Sequence, residues 1–328
     1  AQNLQTGGIV AQRVDTAMHV GTHLDGAMHA SDVKGDMASY SLDYLVGPGA
    51  VVDISDKIDD WGLITPEMME EAPVDINDGD ILIIHTGFHR YYEGRPQQDL
   101  ERYFCLHPGG GRELLDWMYE KKIKWFGIDC GSGDHAMNTS IRKMRPDLKA
   151  RFEAQIGMTC EEYFGEYEYT HALSGRKAKS DIFMFHSEAF NEGLIHAENV
   201  GGDIELALNQ RFIIGAFPWR FEGLEACPCR IICFSEVGDS VETIGEVAKD
   251  VRFAAGRVVA VVFAGGEPAV RVVDAVAVGV FEWVRAARAR RPPTRRVLDA
   301  GHHPPKVNRP DDQQRHQENL PHATLQVQ

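Results

Sequence analysis

The sequence predicts an α/β fold for most of the chain. Short apolar runs typical of strands alternate with segments of helical periodicity up to residue 236, and this alternation is characteristic of α/β proteins. The chain has 328 residues, of which 43% are hydrophobic and 25% are charged. This composition is that of a globular protein with a substantial core. We therefore predict one α/β domain over residues 1–236.

The first predicted elements are two strands separated by a helix. A strand is predicted in "GAVVDIS", which follows a Gly-Pro-Gly turn. A short helix is predicted in "TPEMMEEA", where Thr65 is the N-cap and Pro66 takes the first helical position. The apolar run "DILIIH" predicts the second strand. These elements begin the alternating pattern.

The pattern continues with a helix and several further strands. In "GRELLDWMYEKK", the residues Leu114, Leu115 and Met118 share one helical face. The next apolar run, "KWFGID", predicts a strand, so this region reads as strand, helix, strand. Three more strands are predicted in "DIFMFH", "FIIGAF" and "CRIICF". The last of them ends just before residue 236, a natural end for the domain.

The composition of the chain changes after Glu236. The preceding part has 21 basic and 38 acidic residues, whereas residues 237–328 have 13 basic and 11 acidic residues. The later part is rich in Ala, Val and Arg, and it ends in a polar tail. We predict that residues 237–328 are an atypical appendage, disordered from about residue 292, because few apolar groups there offset the entropy of ordering.

Composition also excludes several classes of protein. A formal net charge of −15 argues against a nucleic-acid partner, since phosphate binding needs clustered Lys and Arg. No apolar run is long enough for a membrane helix, and no signal peptide is visible. Six cysteines are too few for a disulfide framework, and we interpret "CPCRIIC" as a buried strand rather than a metal site. We therefore predict a cytoplasmic protein without a membrane partner.

The segment "HVGTHLDGAMH", residues 19–29, is the strongest functional signal. Its side chains His19, His23, Asp25 and His29 offer imidazole and carboxylate ligands that suit Zn²⁺, Mn²⁺ or Fe²⁺. On a flat strand the α-carbons of His19 and His23 would be about 13 Å apart, which is near the limit for sharing one ion. We therefore expect a bend at Gly21 and a second bend at Gly26.

Two alternatives to this interpretation remain open. A helix would place His19 and His23 at positions i and i+4, as in zinc proteases, but Val, Gly and Thr are poor helix formers. A polar loop with hydrogen-bonded histidines is the other alternative.

A second cluster of possible ligands favours the metal site. His186 closes the predicted strand "DIFMFH", and Glu198 follows in a predicted loop. Asp25 and Glu198 could bridge two ions about 3.5–4 Å apart, as in two-metal hydrolases.

The segment "HVGTHLDGAMH" resembles the signature of the metal-dependent cyclase family, which includes bacterial kynurenine formamidase and isatin hydrolase. The resemblance covers about residues 13–235 and extends through "DILIIHTGF", "KWFGIDCGSGDH" and "HSEAFNEGLIHAENV". It implies a layered fold of the swivelling β/β/α type and a dimer or larger homo-oligomer. It implies these site residues: the metal ligands His19, His23 and Asp25, the ligands of a second ion His186 and Glu198, and the catalytic acid/base His29.

The chain departs from the family pattern at three places. Ala27 stands where many members have proline. The segment between Gly131 and Lys179 is long, as in the isatin-hydrolase-like branch. Only eighteen residues precede His19, whereas family members have several dozen with a strand and aromatic substrate contacts. On this resemblance we expect an incomplete substrate pocket.

Other polar residues follow the predicted strands. Asp129, Ser132, Asp134 and His135 lie in a loop after a strand, where α/β proteins place functional groups. The resemblance implies a structural or pocket-lining role for them, and a plain turn is the alternative. No G-x-S-x-G motif surrounds Ser132, so a serine hydrolase is not expected. His85 and His89 are interpreted as hydrogen-bonded residues at a strand end, with pocket lining as the alternative.

These observations predict a metal-dependent hydrolase that cleaves an amide, cyclic amide or lactone bond in a small aromatic or cyclic carbonyl compound. Its cofactor is predicted to be one or two Zn²⁺ or Mn²⁺ ions, which activate water and polarise the carbonyl group. His29 is predicted to transfer the proton. One alternative is an arylformamidase acting on N-formylkynurenine. Another is a metal-binding protein of the same family without catalytic activity.

Overall fold

The computed structural model describes residues 3–6, 9–12, 14–33, 35–235, 259–263 and 271–272. The predicted disorder from residue 292 lies outside the described residues, as does most of the predicted appendage. The strands are β1 Asn3–Thr6, β2 Ile9–Gln12, β3 His23–Asp25, β4 Val46–Asp53, β5 Leu63–Ile64, β6 Ile81–His85, β7 Gly109–Gly110, β8 Trp125–Ile128, β9 Tyr167–Thr170, β10 Lys177–Ser180, β11 Ile195–Glu198, β12 Gln210–Pro218, β13 Ala226–Ser235, β14 Val259–Phe263 and β15 Arg271–Val272. The α-helices are α1 Leu42–Leu45, α2 Pro66–Glu70, α3 Leu100–Cys105, α4 Arg112–Glu120, α5 Ile141–Met144, α6 Pro146–Ile156, α7 Cys160–Phe164 and α8 Met184–Asn191. Short 3₁₀ helices cover Ala27–His29, Phe88–Tyr91, Ala136–Asn138 and Ile204–Ala207.

The central sheet closes on itself. Its strand order is β12-β4-β6-β8-β11-β3-β13, and β13 pairs back with β12. The inner strands β4, β6, β8 and β11 run parallel, whereas β3, β12 and β13 pair antiparallel with their neighbours. Beyond the closed part, β14 and β15 continue the sheet from β13. The predicted α/β class is confirmed, and the sheet is mixed.

The parallel strands are buried on both faces. Val51 and Ile83 belong to one hydrophobic cluster, and their neighbours Val52 and Ile84 belong to another. Alternate residues of a strand point to opposite faces, so continuous apolar runs such as "ILII" fit strands with both faces covered. Helix α4 covers the second cluster, and its predicted apolar face is confirmed because Leu114, Leu115 and Met118 are buried there.

The strand predicted in "DIFMFH" is wrong, because helix α8 begins at Met184. Phe183 adopts the left-handed conformation, with φ of 60°, and its N–H donates to the carbonyl oxygen of Asn138. From there the buried pairs Phe185 with Ala189 and His186 with Phe190 follow the i, i+4 spacing of a helix. A short apolar run alone does not distinguish a strand from a buried helix.

The other predicted elements are present. The strands predicted in "GAVVDIS", "DILIIH", "KWFGID", "FIIGAF" and "CRIICF" are confirmed. Thr65 is the N-cap of α2 and Pro66 takes its first position, although the Thr65 side chain makes no capping hydrogen bond. Cys227, Cys229 and Cys233 lie on β13, and all six cysteines are free. Within the described residues, no helix is long and apolar enough to cross a bilayer.

His135 is a core residue rather than a reactive one. Its ring packs beside Phe152 and Phe164 and is completely buried. Its Nε2–H donates to the Trp61 carbonyl oxygen over 2.8 Å, and its Nδ1 accepts from the Met137 N–H over 3.0 Å. Both ring nitrogens are thus satisfied by the neutral imidazole. Burial lowers the pKa of His135 to about 3.

This histidine is expected to make stability depend on pH. The unfolded chain takes up a proton here below a pH of about 6.5, whereas the folded chain does so only near pH 3. The contribution of His135 to the free energy of unfolding is therefore fully present above a pH of about 6.5. It is lost as the pH falls, by about 2 kcal/mol at pH 5. Urea unfolding of the metal-free protein at pH 7.5 and 5.0 measures it. Between pH 7.5 and 5.0, the free energy of unfolding of the His135→Asn variant should fall by about 2 kcal/mol less than that of the wild type. An equal fall in both proteins would contradict the prediction.

Candidate metal centre

Two neighbouring antiparallel strands supply most of the site. In the register of β3 and β11, Glu198 lies opposite His23 and His196 lies opposite Asp25. Residues two apart on a strand share a face, so these four side chains are placed side by side. All four are buried, with exposed fractions of 1% for His23, 0% for Asp25 and His196, and 6% for Glu198. Such a group of buried polar side chains needs compensating interactions.

His19 reaches the same place through the predicted bend. Gly21 has φ of +58°, a left-handed conformation that glycine adopts without strain. The His23 Nδ1–H donates to the Gly21 carbonyl oxygen over 2.9 Å, which leaves the Nε2 lone pair of His23 directed into the site. His19 Nδ1 then lies 3.2 Å from His23 Nε2 and 3.1 Å from Asp25 Oδ1. The expected bend at Gly21 is therefore present.

The donor atoms form two groups that share Asp25, and Glu198 belongs to the second group and lies beside the first. The first group consists of His19 Nδ1, His23 Nε2 and Asp25 Oδ1, with Glu198 Oε2 at 3.5 Å from His23 Nε2. The second group consists of Asp25 Oδ2, His186 Nε2, His196 Nε2 and Glu198 Oε1, and all four atoms lie within 4.8 Å of one another. Asp25 thus offers one oxygen to each group, and the two oxygens of Glu198 face one group each.

His186 is oriented by a buried carboxylate. Its Nδ1–H donates to Asp134 Oδ2 over 2.7 Å, and Asp134 also accepts from the Phe185 N–H. Nε2 of His186 therefore faces the site, 3.8 Å from Asp25 Oδ2 and 3.7 Å from Glu198 Oε1. A carboxylate behind the second ring nitrogen is the usual support of a metal-binding histidine. The expected positions are corrected, since His186 lies on α8 and Glu198 ends β11.

The residues fit divalent metal ions. Both oxygens of Asp25 are buried, and neither accepts a hydrogen bond from the part of the chain that the structure describes. Burial acts in the opposite direction, but the neighbouring imidazoles of His19 and His23 hold the pKa of the Asp25 carboxyl well below its usual range. A charged, buried carboxylate needs positive charge beside it, which protonated imidazoles supply without a metal and which bound cations can supply in their place. Imidazole and carboxylate donors suit Zn²⁺ or Mn²⁺, and a shared carboxylate suits a pair of ions.

His29 lies beside these groups without belonging to them. Its ring centroid is 4.3 Å from that of His19 and 5.5 Å from that of His186. The turn that brings it there is the 3₁₀ helix Ala27–His29, since Gly26 itself is extended, with φ of −91°. The bend expected at Gly26 is therefore wrong, and a Cβ there would lie 2.5 Å from Met37 Cε, the flexible end of a side chain, and 3.1 Å from the Glu225 carbonyl oxygen. Desolvation by its surroundings lowers the pKa of His29.

Two residues that the sequence did not single out belong to this region. His196 supplies a nitrogen to the second group, and the only sequence signal for it is its position two residues before Glu198 on a strand. Glu225 lies 3.3 Å from His19 Nε2 and forms a third donor cluster with His19 and His29. Glu225 reaches the site because its carbonyl oxygen accepts from the Gly26 N–H, a contact between distant parts of the chain.

The donor groups open onto a cavity of about 450 Å³. Its polar wall includes His19, Asp25, His29, His186 and Glu198. The rest of the lining includes the apolar side chains Phe104, Ile141, Met144 and Phe183, together with Ser132 and Ser140. The long segment after Gly131 thus supplies part of the lining. Of the loop residues singled out from the sequence, Ser132 lines the cavity, Asp134 orients His186, and Asp129 lies in a separate cluster.

The position of His196 leads to a prediction about metal content. The His196→Leu variant removes one nitrogen from the second donor group, so we expect the second ion to bind at least about tenfold more weakly. The matched control is His107→Leu, because His107 is equally buried and lines the cavity but lies outside both donor groups. Metal titration followed by elemental analysis measures the effect. Unchanged affinity in the His196 variant would show that His196 only supports Glu198.

A family comparison covers the first part of the chain. Residues 2–135 match the sequence model of the Cyclase family, described as "Putative cyclase". The matched segment contains "HVGTHLDGAMH" and the strands β3, β4, β6 and β8. The resemblance to the cyclase family is therefore confirmed. No curated protein matches the chain significantly.

Several solved structures are similar to this chain at low identity. A potential metal-dependent hydrolase with cyclase activity is 19% identical, with a TM-score of 0.43, over 70% of this chain and 84% of its own. A predicted metal-dependent hydrolase from Bacillus stearothermophilus is 19% identical, with a TM-score of 0.44, over 70% and 83%. Isatin hydrolase A from Ralstonia solanacearum is 14% identical, with a TM-score of 0.49, over 70% and 79%.

Proposed function

We propose that this protein is a metal-dependent hydrolase that cleaves an amide, cyclic amide or lactone bond in a small carbonyl compound. The observation that carries the proposal is the pair of donor groups that share Asp25, with Glu198 in contact with both, and that open onto a cavity. A divalent ion held there would lower the pKa of a water molecule from about 15.7 to about 7 and would polarise a carbonyl oxygen. We propose Zn²⁺ or Mn²⁺ as the native ion.

His29 is the residue that moves the proton. It lines the cavity next to His19 and His186, and its lowered pKa keeps the imidazole neutral at pH 7. A neutral ring nitrogen can accept a proton from the attacking water and then donate it to the leaving nitrogen or oxygen. Asp134 contributes indirectly, because its hydrogen bond fixes the ring of His186, which lines the same cavity.

The size and lining of the cavity favour a small cyclic substrate. Its volume of about 450 Å³ suits one small molecule, and Phe104, Ile141 and Phe183 offer apolar surface for a ring. The hydroxyl groups of Ser132 and Ser140 can hydrogen-bond to polar atoms of the same molecule. We therefore propose an aromatic or cyclic substrate, with a cyclic amide or lactone preferred over an open-chain formamide.

Hydrolysis assays with defined metal content test the proposal. The full chain is freed of metal with a chelator, reloaded with Zn²⁺ or Mn²⁺, and offered a cyclic aryl amide, an aryl lactone and an aryl formamide. We expect turnover of a cyclic substrate only in the reloaded protein. Stoichiometric metal without turnover of any of the three would contradict the proposal and would instead indicate a metal-binding protein without catalysis.

A further inference from the structure

A second group of histidines and carboxylates lies at another place in the sheet. Asp53 and His85 are the last residues of the adjacent parallel strands β4 and β6, and Asp129 directly follows β8. His89 belongs to the 3₁₀ helix Phe88–Tyr91, and Glu205 belongs to the 3₁₀ helix Ile204–Ala207. In the sheet order β8 separates β6 from β11, and this group shares no residue with the metal centre.

His85 presents a buried nitrogen that lacks a hydrogen bond. The side chain is 2% exposed, and its Nδ1–H donates to Asp53 Oδ1 over 2.7 Å. This contact fixes the tautomer and leaves the lone pair on Nε2. Within the described part of the chain, His85 Nε2 has no hydrogen-bond partner. An unpaired polar atom at such depth is costly unless a ligand satisfies it.

His89 is oriented in the same manner. Its Nδ1–H donates to Asp129 Oδ2 over 3.0 Å. Asp129 is held in place by Thr86, whose N–H and hydroxyl donate to Oδ1, and by the Gly87 N–H, which donates to Oδ2. The carboxylate is therefore rigid and fully hydrogen-bonded. Because Nδ1 of His89 carries the proton in this contact, Nε2 is the nitrogen of the ring that can accept a hydrogen bond or bind an ion.

The free atoms of the two histidines converge on Glu205. His85 Nε2, His89 Nε2 and a carboxylate oxygen of Glu205 all lie within 4.8 Å of one another, and His89 Nε2 is 3.5 Å from Glu205 Oε1. Two histidines, each backed by a carboxylate, and a third carboxylate form the ligand set that Zn²⁺ takes with one position open. His85 Nε2 also lies 3.8 Å from Asp129 Oδ2, which is too far for a hydrogen bond, so the carboxylate behind His89 does not satisfy this nitrogen.

We propose that His85, His89 and Glu205 form a second metal site that binds Zn²⁺ and is independent of the metal centre. The ion would join the segment at Ile204–Ala207 to the ends of the parallel strands. Asp53 and Asp129 are positioning residues, because each holds one histidine with its Nε2 toward the ion.

The experiment measures Zn²⁺ bound per full-length chain at saturation, for the wild type and three variants. We expect the His89→Gln variant to bind one ion fewer than the wild type. The Glu205→Gln variant should bind this ion at least about tenfold more weakly, and it should leave folding intact because the Glu205 side chain is 64% exposed. The matched control is Glu222→Gln, an exposed glutamate outside every donor cluster, which should bind as the wild type does.

Anomalous scattering at the zinc edge from wild-type crystals gives an independent readout. We expect a peak about 2.0–2.2 Å from Nε2 of both His85 and His89. The difference in bound Zn²⁺ between the wild type and the His89→Gln variant and the position of the peak both concern this site alone, so neither depends on whether ions occupy the metal centre. Equal Zn²⁺ binding by the wild type and the His89→Gln variant, together with no peak at these nitrogens, would overturn the proposal.

Discussion

The Asp25→Asn variant is expected to lose bound divalent ions and hydrolytic activity together. Asp25 offers one oxygen to each donor group, so its replacement weakens the binding of both ions at once. The amide side chain introduced by Asp25→Asn carries no negative charge to balance an ion. Its NH₂ group, which cannot bind a metal as the carboxylate does, would face imidazole nitrogens or an ion. The loss of turnover should exceed the roughly 10²–10³-fold loss that follows removal of a single electrostatic stabiliser.

Elemental analysis and turnover, measured on the same preparation, check this expectation. Asp78→Asn is the matched control, because Asp78 is an exposed aspartate outside the donor groups. Its side chain lies 4.0 Å from the exposed Lys122 Nζ. The control should keep both ions and full activity. An Asp25→Asn protein that is folded, as judged by circular dichroism, and still holds two ions would show that Asp25 is not a shared ligand.

The His29→Asn variant is expected to lose turnover but to keep its ions. His29 lies outside both donor groups that share Asp25, and it lines the cavity. Removal of a general acid/base typically costs about 10²–10⁴-fold in turnover, so the variant should fall in that range with unchanged metal content. The two variants therefore serve as controls for each other.

The structure also offers an alternative role for His29, that of a metal ligand. His29 forms a donor cluster with His19 and Glu225, whose ligand atoms lie within 4.8 Å of one another. If His29 coordinates an ion there, the His29→Asn variant will lose metal as readily as the Asp25→Asn variant. Metal analysis of both variants under identical dialysis distinguishes a proton-transfer residue from a ligand.

The sequence alone predicted the part of the site whose residues lie close together in the chain. His19, His23 and Asp25 lie within seven residues, and the glycine between the histidines indicates the bend that brings them together. Apolar runs buried on both faces likewise predict the parallel strands. These inferences need only spacing and conformational preference, which the sequence shows directly.

Other parts of the site depend on pairing between distant segments. His196 meets Asp25 only through the register of β3 with β11, and Glu225 meets His19 only because β13 follows the other edge of β3. The helix at His186 was also missed, because the contact of Phe183 with Asn138 that precedes it is tertiary. The same holds for the pairing of Asp53 with His85 at the ends of two strands.

The pairing of β3 with β11 has a consequence for the order of folding. It joins residues 23–25 to residues 196–198, so loop closure over most of the domain must precede it. Contacts of such long sequence separation form slowly, and a nascent chain shorter than 198 residues lacks Glu198 and cannot complete the pairing of β3 with β11. Tight metal uptake is thus a late event in biogenesis. Because the native state alone holds the complete ligand set, ions bound there would stabilise the folded chain against unfolding.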